Sequence, residues 1–181
     1  MSLRPLIFVS TMCLLSPIGV KTSGGSLSND EWKPFAFLVG PWMGVGSGSP
    51  GEGSGYFTFA FDLDSTVLVR KNHSEYPPAA GETQGTVHDD LMIVYRDPNS
   101  GGFRAVYFDN EGHVIHYVVS CSSEPLAVTF DSEPGPGRPH YRLLYTQEQS
   151  GLVSIEFLIG PPGGELKRYL KGSAQKSVKG K

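Results

Sequence analysis

The sequence predicts an all-β fold, a single antiparallel up-and-down β-barrel of about ten strands with a short N-terminal helix. Three observations favour it: 23 glycines and 14 prolines among 181 residues, turn signals at regular intervals, and short apolar runs between those turns. The connections are too short to hold crossover helices, so neighbouring strands should pair as antiparallel hairpins. Closing such a meander into a barrel removes the exposed edges that an open sheet would leave.

Residues 1–25 have the pattern of a leader. Arg4 gives a short basic start, an apolar run follows, and Pro17 interrupts it. The run is too short to span a bilayer securely, so we expect a signal peptide, no stable membrane span, and a secreted, periplasmic or cell-envelope location. The alternative is a start site placed too early, with a cytoplasmic protein that begins near Ser28.

The barrel domain is predicted over residues 29–170 and opens with a short helix or 3₁₀ turn. Trp32, Phe35 and Leu38 recur at three-residue spacing behind helix-capping residues. From Trp42 onward, apolar and β-branched runs end in clusters of Gly, Pro, Asp or Asn. These clusters predict turns at residues 49–53, 62–65, 77–85, 97–101, 109–112, 122–125, 133–139, 147–151 and 160–164.

The formal net charge of −3 conceals an acidic body, because basic residues are concentrated in the leader and at the C-terminus. Without the six basic residues of those two segments, the rest of the chain has a formal net charge of about −9. An acidic body argues against nucleic acid as a partner, since that binding needs a clustered basic footprint. Residues 171–181 are predicted to be a solvated, disordered basic tail.

One predicted strand is apolar on both faces. Residues 91–95 read Leu-Met-Ile-Val-Tyr, without the polar alternation of a half-solvated strand. Such a strand must be covered outside as well as inside. We expect residues 32–38 or a second copy of the chain to supply that cover, which makes a homodimer one alternative.

Residues 37–46, Phe-Leu-Val-Gly-Pro-Trp-Met-Gly-Val-Gly, resemble the Leu-x-Gly-x-Trp-x-Gly-x-Gly opening of lipocalin-like (calycin) barrels. The segment is similar to the fatty-acid-binding-protein and nitrobindin-like branches and to uncharacterised bacterial lipocalin-like proteins. The resemblance implies that Trp42 lies on the first strand and plugs the closed end, while the glycines let that strand bend. It extends from Phe37 to about Leu170 and specifies fold far better than function.

The nitrobindin-like branch binds haem through a histidine on a late strand. Here the last predicted strand, residues 165–170, contains no histidine. This departure argues against haem, so a haem-binding nitrobindin-like protein is only a further alternative, and we expect no cofactor and no metal site.

The densest polar cluster flanks the loop at residues 77–85. If the two flanking strands pair, His73 and Glu75 approach His88 and Asp90 near one rim. A histidine beside a carboxylate is a workable general base, and alternate strand positions share a face that could hold a divalent metal. The interpretation we prefer is a rim network that satisfies strand ends, because the rims of barrels gather polar residues.

A ten-stranded barrel leaves interior room for a ligand. The resemblance to fatty-acid carriers implies arginine and tyrosine around a buried carboxylate, and arginine offers bidentate donors for it. Strand alternation also turns either His113 or His116 inward. The candidate ligand-binding residues are Arg70, Asn72, Arg104, Tyr107, His116 and Arg142.

Three functions are compatible with these patterns. The first is a non-enzymatic protein that binds a small apolar or amphipathic molecule, with the 77–85 loop and the short helix shaping the mouth. The second is an isomerase, cyclase or hydrolase that uses His73, Glu75, His88 and Asp90. The third is an interaction protein at the cell envelope. The glycine run at residues 44–55 lacks the Gly-Lys-Ser/Thr ending of a phosphate loop and predicts a flexible hairpin.

Overall fold

The computed structural model of the chain describes residues 30–49, 53–78, 80–133 and 135–177. Ten strands form one closed antiparallel barrel, in which each strand pairs with its neighbours in the chain and the first pairs with the last. The predicted fold class is therefore confirmed. The strands are β1 (Gly40–Ser49), β2 (Ser54–Asp62), β3 (Val67–Tyr76), β4 (Thr86–Arg96), β5 (Phe103–Asp109), β6 (Val114–Ser123), β7 (Leu126–Ser132), β8 (His140–Gln147), β9 (Val153–Gly160) and β10 (Lys167–Lys176).

The closed barrel is consistent with a calycin or lipocalin-like fold. Each strand connection falls where a turn signal was predicted, because Gly, Pro, Asp and Asn interrupt the apolar runs there. The predicted leader, residues 1–25, lies outside the described residues.

One end of the barrel is sealed by the segment before β1. A 3₁₀ turn, Lys33–Phe35, buries Phe35 completely, and the neighbouring Trp32 is only 3% exposed. The rings of both residues lie 4.9 Å from the ring of Phe103. The indole Nε1 of Trp42 donates a hydrogen bond of 2.7 Å to the carbonyl of Leu38, which ties this segment to the first strand. We call this the closed end.

The 3₁₀ turn and the loop at residues 77–85 lie at opposite ends of the barrel. The turn leads directly into β1, which begins beside Phe59 near the end of β2, whereas the loop joins the far ends of β3 and β4. The helix therefore does not shape the same mouth as the loop, contrary to our expectation. The aromatic rings of Trp32 and Phe35 are instead buried against Phe103 at the closed end.

The two-faced strand β4 directs Met92 and Val94 into the core and Leu91, Ile93 and Tyr95 outward. The outward residues are half-buried by their neighbours, and the 3₁₀ turn packs against β6 and β7 instead of covering them. Residues 32–38 thus do not supply the expected cover. The homodimer stays a prediction.

The last strand continues past the predicted domain boundary at residue 170. β10 runs from Lys167 to Lys176, so most of the segment expected to be a disordered tail completes the barrel by pairing with β1 and β9. Within residues 171–176 the inward positions include Gly172 and Ala174, whose small side chains give no hydrophobic alternation in the sequence. Residues 178–181 lie outside the described part of the chain. Among the described residues, no helix is both long and apolar enough to cross a membrane.

Candidate functional site

A buried ion pair occupies the middle of the barrel. Strand alternation turns Arg70 on β3 and Asp90 on β4 inward, and their side chains are hydrogen-bonded and almost fully buried. The guanidinium lies 5.8 Å from the ring centre of Phe57 and 5.9 Å from that of Tyr145. Burial alone would lower the pKa of Arg70, but Asp90 and the surrounding tyrosines raise it, so the arginine stays charged.

Three tyrosines surround this pair. Burial raises the pKa of Tyr107 and Tyr117 well above the ordinary value, and it raises the pKa of Tyr145 to about 12. The Tyr145 hydroxyl has no hydrogen-bond partner of ordinary geometry among the described residues, although Arg70 is close enough to affect its pKa. The Nε of Arg70 also has no partner there. The tyrosines are neutral hydrogen-bonding groups at physiological pH.

His88 connects this interior cluster to the rim. Its Nε2 lies 3.0 Å from the Tyr107 hydroxyl and 3.5 Å from the carboxylate of Asp90, and its Nδ1 lies 2.9 Å from Glu111. Asp90 is the main cause, and Glu111 a further one, of a rise in the pKa of His88 to about 9. The imidazole is therefore a cation at neutral pH, which removes it as a general base.

His73 and Glu75 lie on the outer face of the barrel. In the observed register His73 stands opposite Asp89, so His88 and Asp90 fall on the inner face instead. His73 contacts Asp89 through Nδ1 at 2.7 Å and Glu75 through Nε2 at 2.9 Å, and these bonds raise its pKa. The four residues predicted to meet at one rim are thus divided between two faces, and on each face carboxylates raise the pKa of the histidine.

The six candidate ligand-binding residues are also divided. Arg70, Asn72 and Tyr107 face the interior, while Arg104, His116 and Arg142 face outward. The outer arginines have their own carboxylates: Arg104 binds Asp97 and Glu133, and Arg142 binds Asp131. His113 lies in the exposed turn between β5 and β6, so neither histidine of that pair points inward.

A cavity of about 120 Å³ opens at the end opposite the 3₁₀ turn, which we call the open end. Three adjacent strands, β1, β2 and β10, place glycines there: Gly44, Gly55 and Gly172. A Cβ atom added at Gly172 would meet no atom within 4 Å, so the missing side chain leaves open space. We call this space the glycine cavity. Its inward-facing lining is Gly44, Gly55, Phe57, Asn72, Ser74, Tyr76, Ile155, Leu170, Gly172 and Ala174.

Sequence reasoning missed most of this lining. The sequence predicts a flexible hairpin at residues 44–55 and places Gly172 in the predicted tail. Glycine inside a strand pattern is a usable signal, because it marks places where a ligand or another backbone approaches closely. Of the ligand-binding candidates, only Asn72 lines the cavity.

A larger but shallow groove of about 570 Å³ lies on the outer face of β2 to β5. Its wall includes Tyr56, Lys71, His73, Leu91 and Phe108. The groove is open to solvent and lies outside the barrel.

The described residues contain no group of three or more histidine, cysteine, aspartate or glutamate side chains arranged to hold a metal ion. No protein-family model matches the chain, and a search of curated proteins finds none with significant sequence similarity.

Proposed function

We propose that this protein binds a small, largely apolar molecule in the glycine cavity, as a binding protein of the lipocalin-like kind. The observation that carries the proposal is the local absence of side chains. Gly172 leaves open space at an inward position of β10, whereas a Cβ atom at Gly44 or Gly55 would approach neighbouring backbone to 3.2 or 2.7 Å. Elsewhere the interior is filled by larger aromatic and aliphatic side chains and by the Arg70–Asp90 pair. Ligand sites in proteins are typically concave and mostly apolar, with a few polar groups that fix orientation.

The lining has this composition. Phe57, Ile155 and Leu170 supply apolar surface from three strands. Asn72 and Ser74 supply polar groups, and the amide of Asn72 donates a 3.2 Å hydrogen bond to the Ser74 hydroxyl. An enzymatic function finds less support, because His73 and His88 are both held by carboxylates that favour the protonated imidazole.

The test is to fill the cavity. Gly172→Leu directs an isobutyl group into the open space, and the backbone at Gly172 is outside the left-handed region, so a side chain introduces no backbone strain there. The matched control, Gln175→Leu, places the same side chain on the outer face of the same strand. Toluene serves as the apolar probe, and backbone amide NMR shifts report where it binds.

We expect toluene to shift the amides of residues 72–74 and 170–174 in the parent protein and in Gln175→Leu. In Gly172→Leu the apparent Kd should rise at least about tenfold, because the space is occupied. The proposal fails if toluene shifts no cavity amide, or if Gly172→Leu binds it as tightly as the control does.

A further inference from the structure

The polar lining of the glycine cavity indicates the charge and size of the ligand. We propose that the cavity takes an uncharged molecule of about one ring in size, oriented by a hydroxyl group that Asn72 and Ser74 recognise. This inference rests on the proposed function, because it requires the cavity to be the binding site.

The inward-facing polar side chains of the lining are all neutral. They are Asn72, Ser74 and Tyr76, and burial together with the nearby Tyr169 raises the pKa of Tyr76, which keeps the phenol protonated. Lys171 contributes to the wall, but its ammonium lies 3.5 Å from Glu156 and its side chain is 52% exposed. A charged ligand would leave water without gaining an opposite charge, which is costly.

The nearest buried charges are already matched. Asn72 stands between the cavity and Arg70, one inward position deeper along β3. Arg70 is paired with Asp90, and neither residue is part of the cavity lining. A carboxylate ligand would have to displace Asp90 from Arg70 and leave that carboxylate buried without its partner, which strongly disfavours it.

The size of the ligand follows from the volume and from what lies beneath it. A cavity of about 120 Å³ is close to the roughly 150 Å³ of an engineered protein cavity that binds benzene. Below it, the ring of Phe57 lies 5.7 Å from that of Tyr145, which in turn lies 5.5 Å from Phe59. These packed rings occupy the interior beneath the cavity, where a long alkyl chain would have to lie.

Asn72 supplies the specificity. Its Nδ2 group donates to the Ser74 hydroxyl, which leaves the amide carbonyl oxygen to accept a hydrogen bond from a ligand. A site built to hydrogen-bond a hydroxyl discriminates against an analogue that lacks it, because its own polar groups are then unpaired.

The experiment compares four probes of similar shape by NMR titration: p-cresol, toluene, p-toluate and benzylamine. We expect p-cresol to bind at least about tenfold more tightly than p-toluate and benzylamine. Asn72→Leu should weaken p-cresol about tenfold while leaving toluene within about twofold, and Ser74→Ala should weaken p-cresol by a smaller factor. Because Asn72→Leu lies close to the buried ion pair, Ser74→Ala provides the same test if that variant does not fold.

The outcomes separate this inference from the proposed function. If p-toluate or benzylamine binds as tightly as p-cresol and Gly172→Leu abolishes that binding, the cavity is the site but the inference about charge is overturned. If Asn72→Leu or Ser74→Ala weakens the binding of toluene as much as that of p-cresol, the proposed contact with the ligand hydroxyl is overturned. If no probe depends on Gly172, the proposed function itself fails.

Discussion

The two ends of the barrel are built from contrasting side chains. At the closed end, Trp32, Phe35 and Trp42 are buried and pack against other rings. At the open end, glycine, serine and asparagine occupy several inward positions among larger side chains, and a cavity remains. The buried Arg70–Asp90 pair lies between them. A barrel of this width is filled only where its side chains are large, so side-chain size along each strand decides where a ligand fits.

The largest loss of stability is expected for a substitution in the Arg70–Asp90 pair, between the two ends. Asp90→Ala leaves the Arg70 guanidinium buried without its counter-ion, which should lower the free energy of unfolding by about 4 kcal/mol. Arg142→Ala is the matched control, because it breaks a solvent-exposed arginine–aspartate pair and should cost less than about 1 kcal/mol. Urea denaturation measures both. Equal losses in the two variants would show that the interior pair is as well solvated as the outer one.

The next effect tests the closed end. Phe35→Ala removes a fully buried ring that packs against Trp32 and Phe103, and it should lower the free energy of unfolding by about 3 kcal/mol. Binding of toluene in the glycine cavity should be unchanged while the protein is folded, since the two sites are at opposite ends. A tenfold loss of toluene affinity would show that the ends are coupled. Chemical denaturation and NMR titration provide the two readouts.

A smaller effect is expected at the open rim, where stability should depend on pH. The pKa of His88 rises from its ordinary value of 6.5 to about 9 on folding, so the charged imidazole stabilises the fold fully below pH 6.5. That contribution is lost as the pH rises towards 9, with a total loss of about 2 kcal/mol for this partly exposed group. Denaturation midpoints at pH 6 and pH 9 measure it. His88→Gln should remove most of the difference in stability between pH 6 and pH 9. If the variant keeps the same difference, His88 is not the group responsible.

The fold was predictable because its signals are local. Turn residues and apolar runs occur in the sequence at the positions where strands end and begin, and the closing of ten antiparallel strands follows from the exposed edges it removes. The position of Trp42 at the closed end, which the family resemblance implied, agrees with its burial and with its bond to Leu38.

The candidate site was less predictable because it depends on register. Residues His73 and His88 are on paired strands, but a shift of one residue decides which of them faces inward, and the loop at residues 77–85 does not fix that register. Arg104 and Arg142 illustrate the same difficulty. Each lies on a predicted strand, but the sequence does not show which face of the strand is inward, and both side chains are on the outer face of the barrel. Gly172 has no side chain that could contribute to an apolar pattern, so the sequence does not mark it as an inward position.

Pairing of β1 with β10 brings the two ends of the described chain together at the closed end. Trp42 is opposite Lys176, and the amide of Ser177 donates a 2.9 Å hydrogen bond to the carbonyl of Pro41. The 3₁₀ turn and the end of β10 therefore both lie on the side away from the glycine cavity, so a contact made at the closed end leaves the mouth of the cavity free.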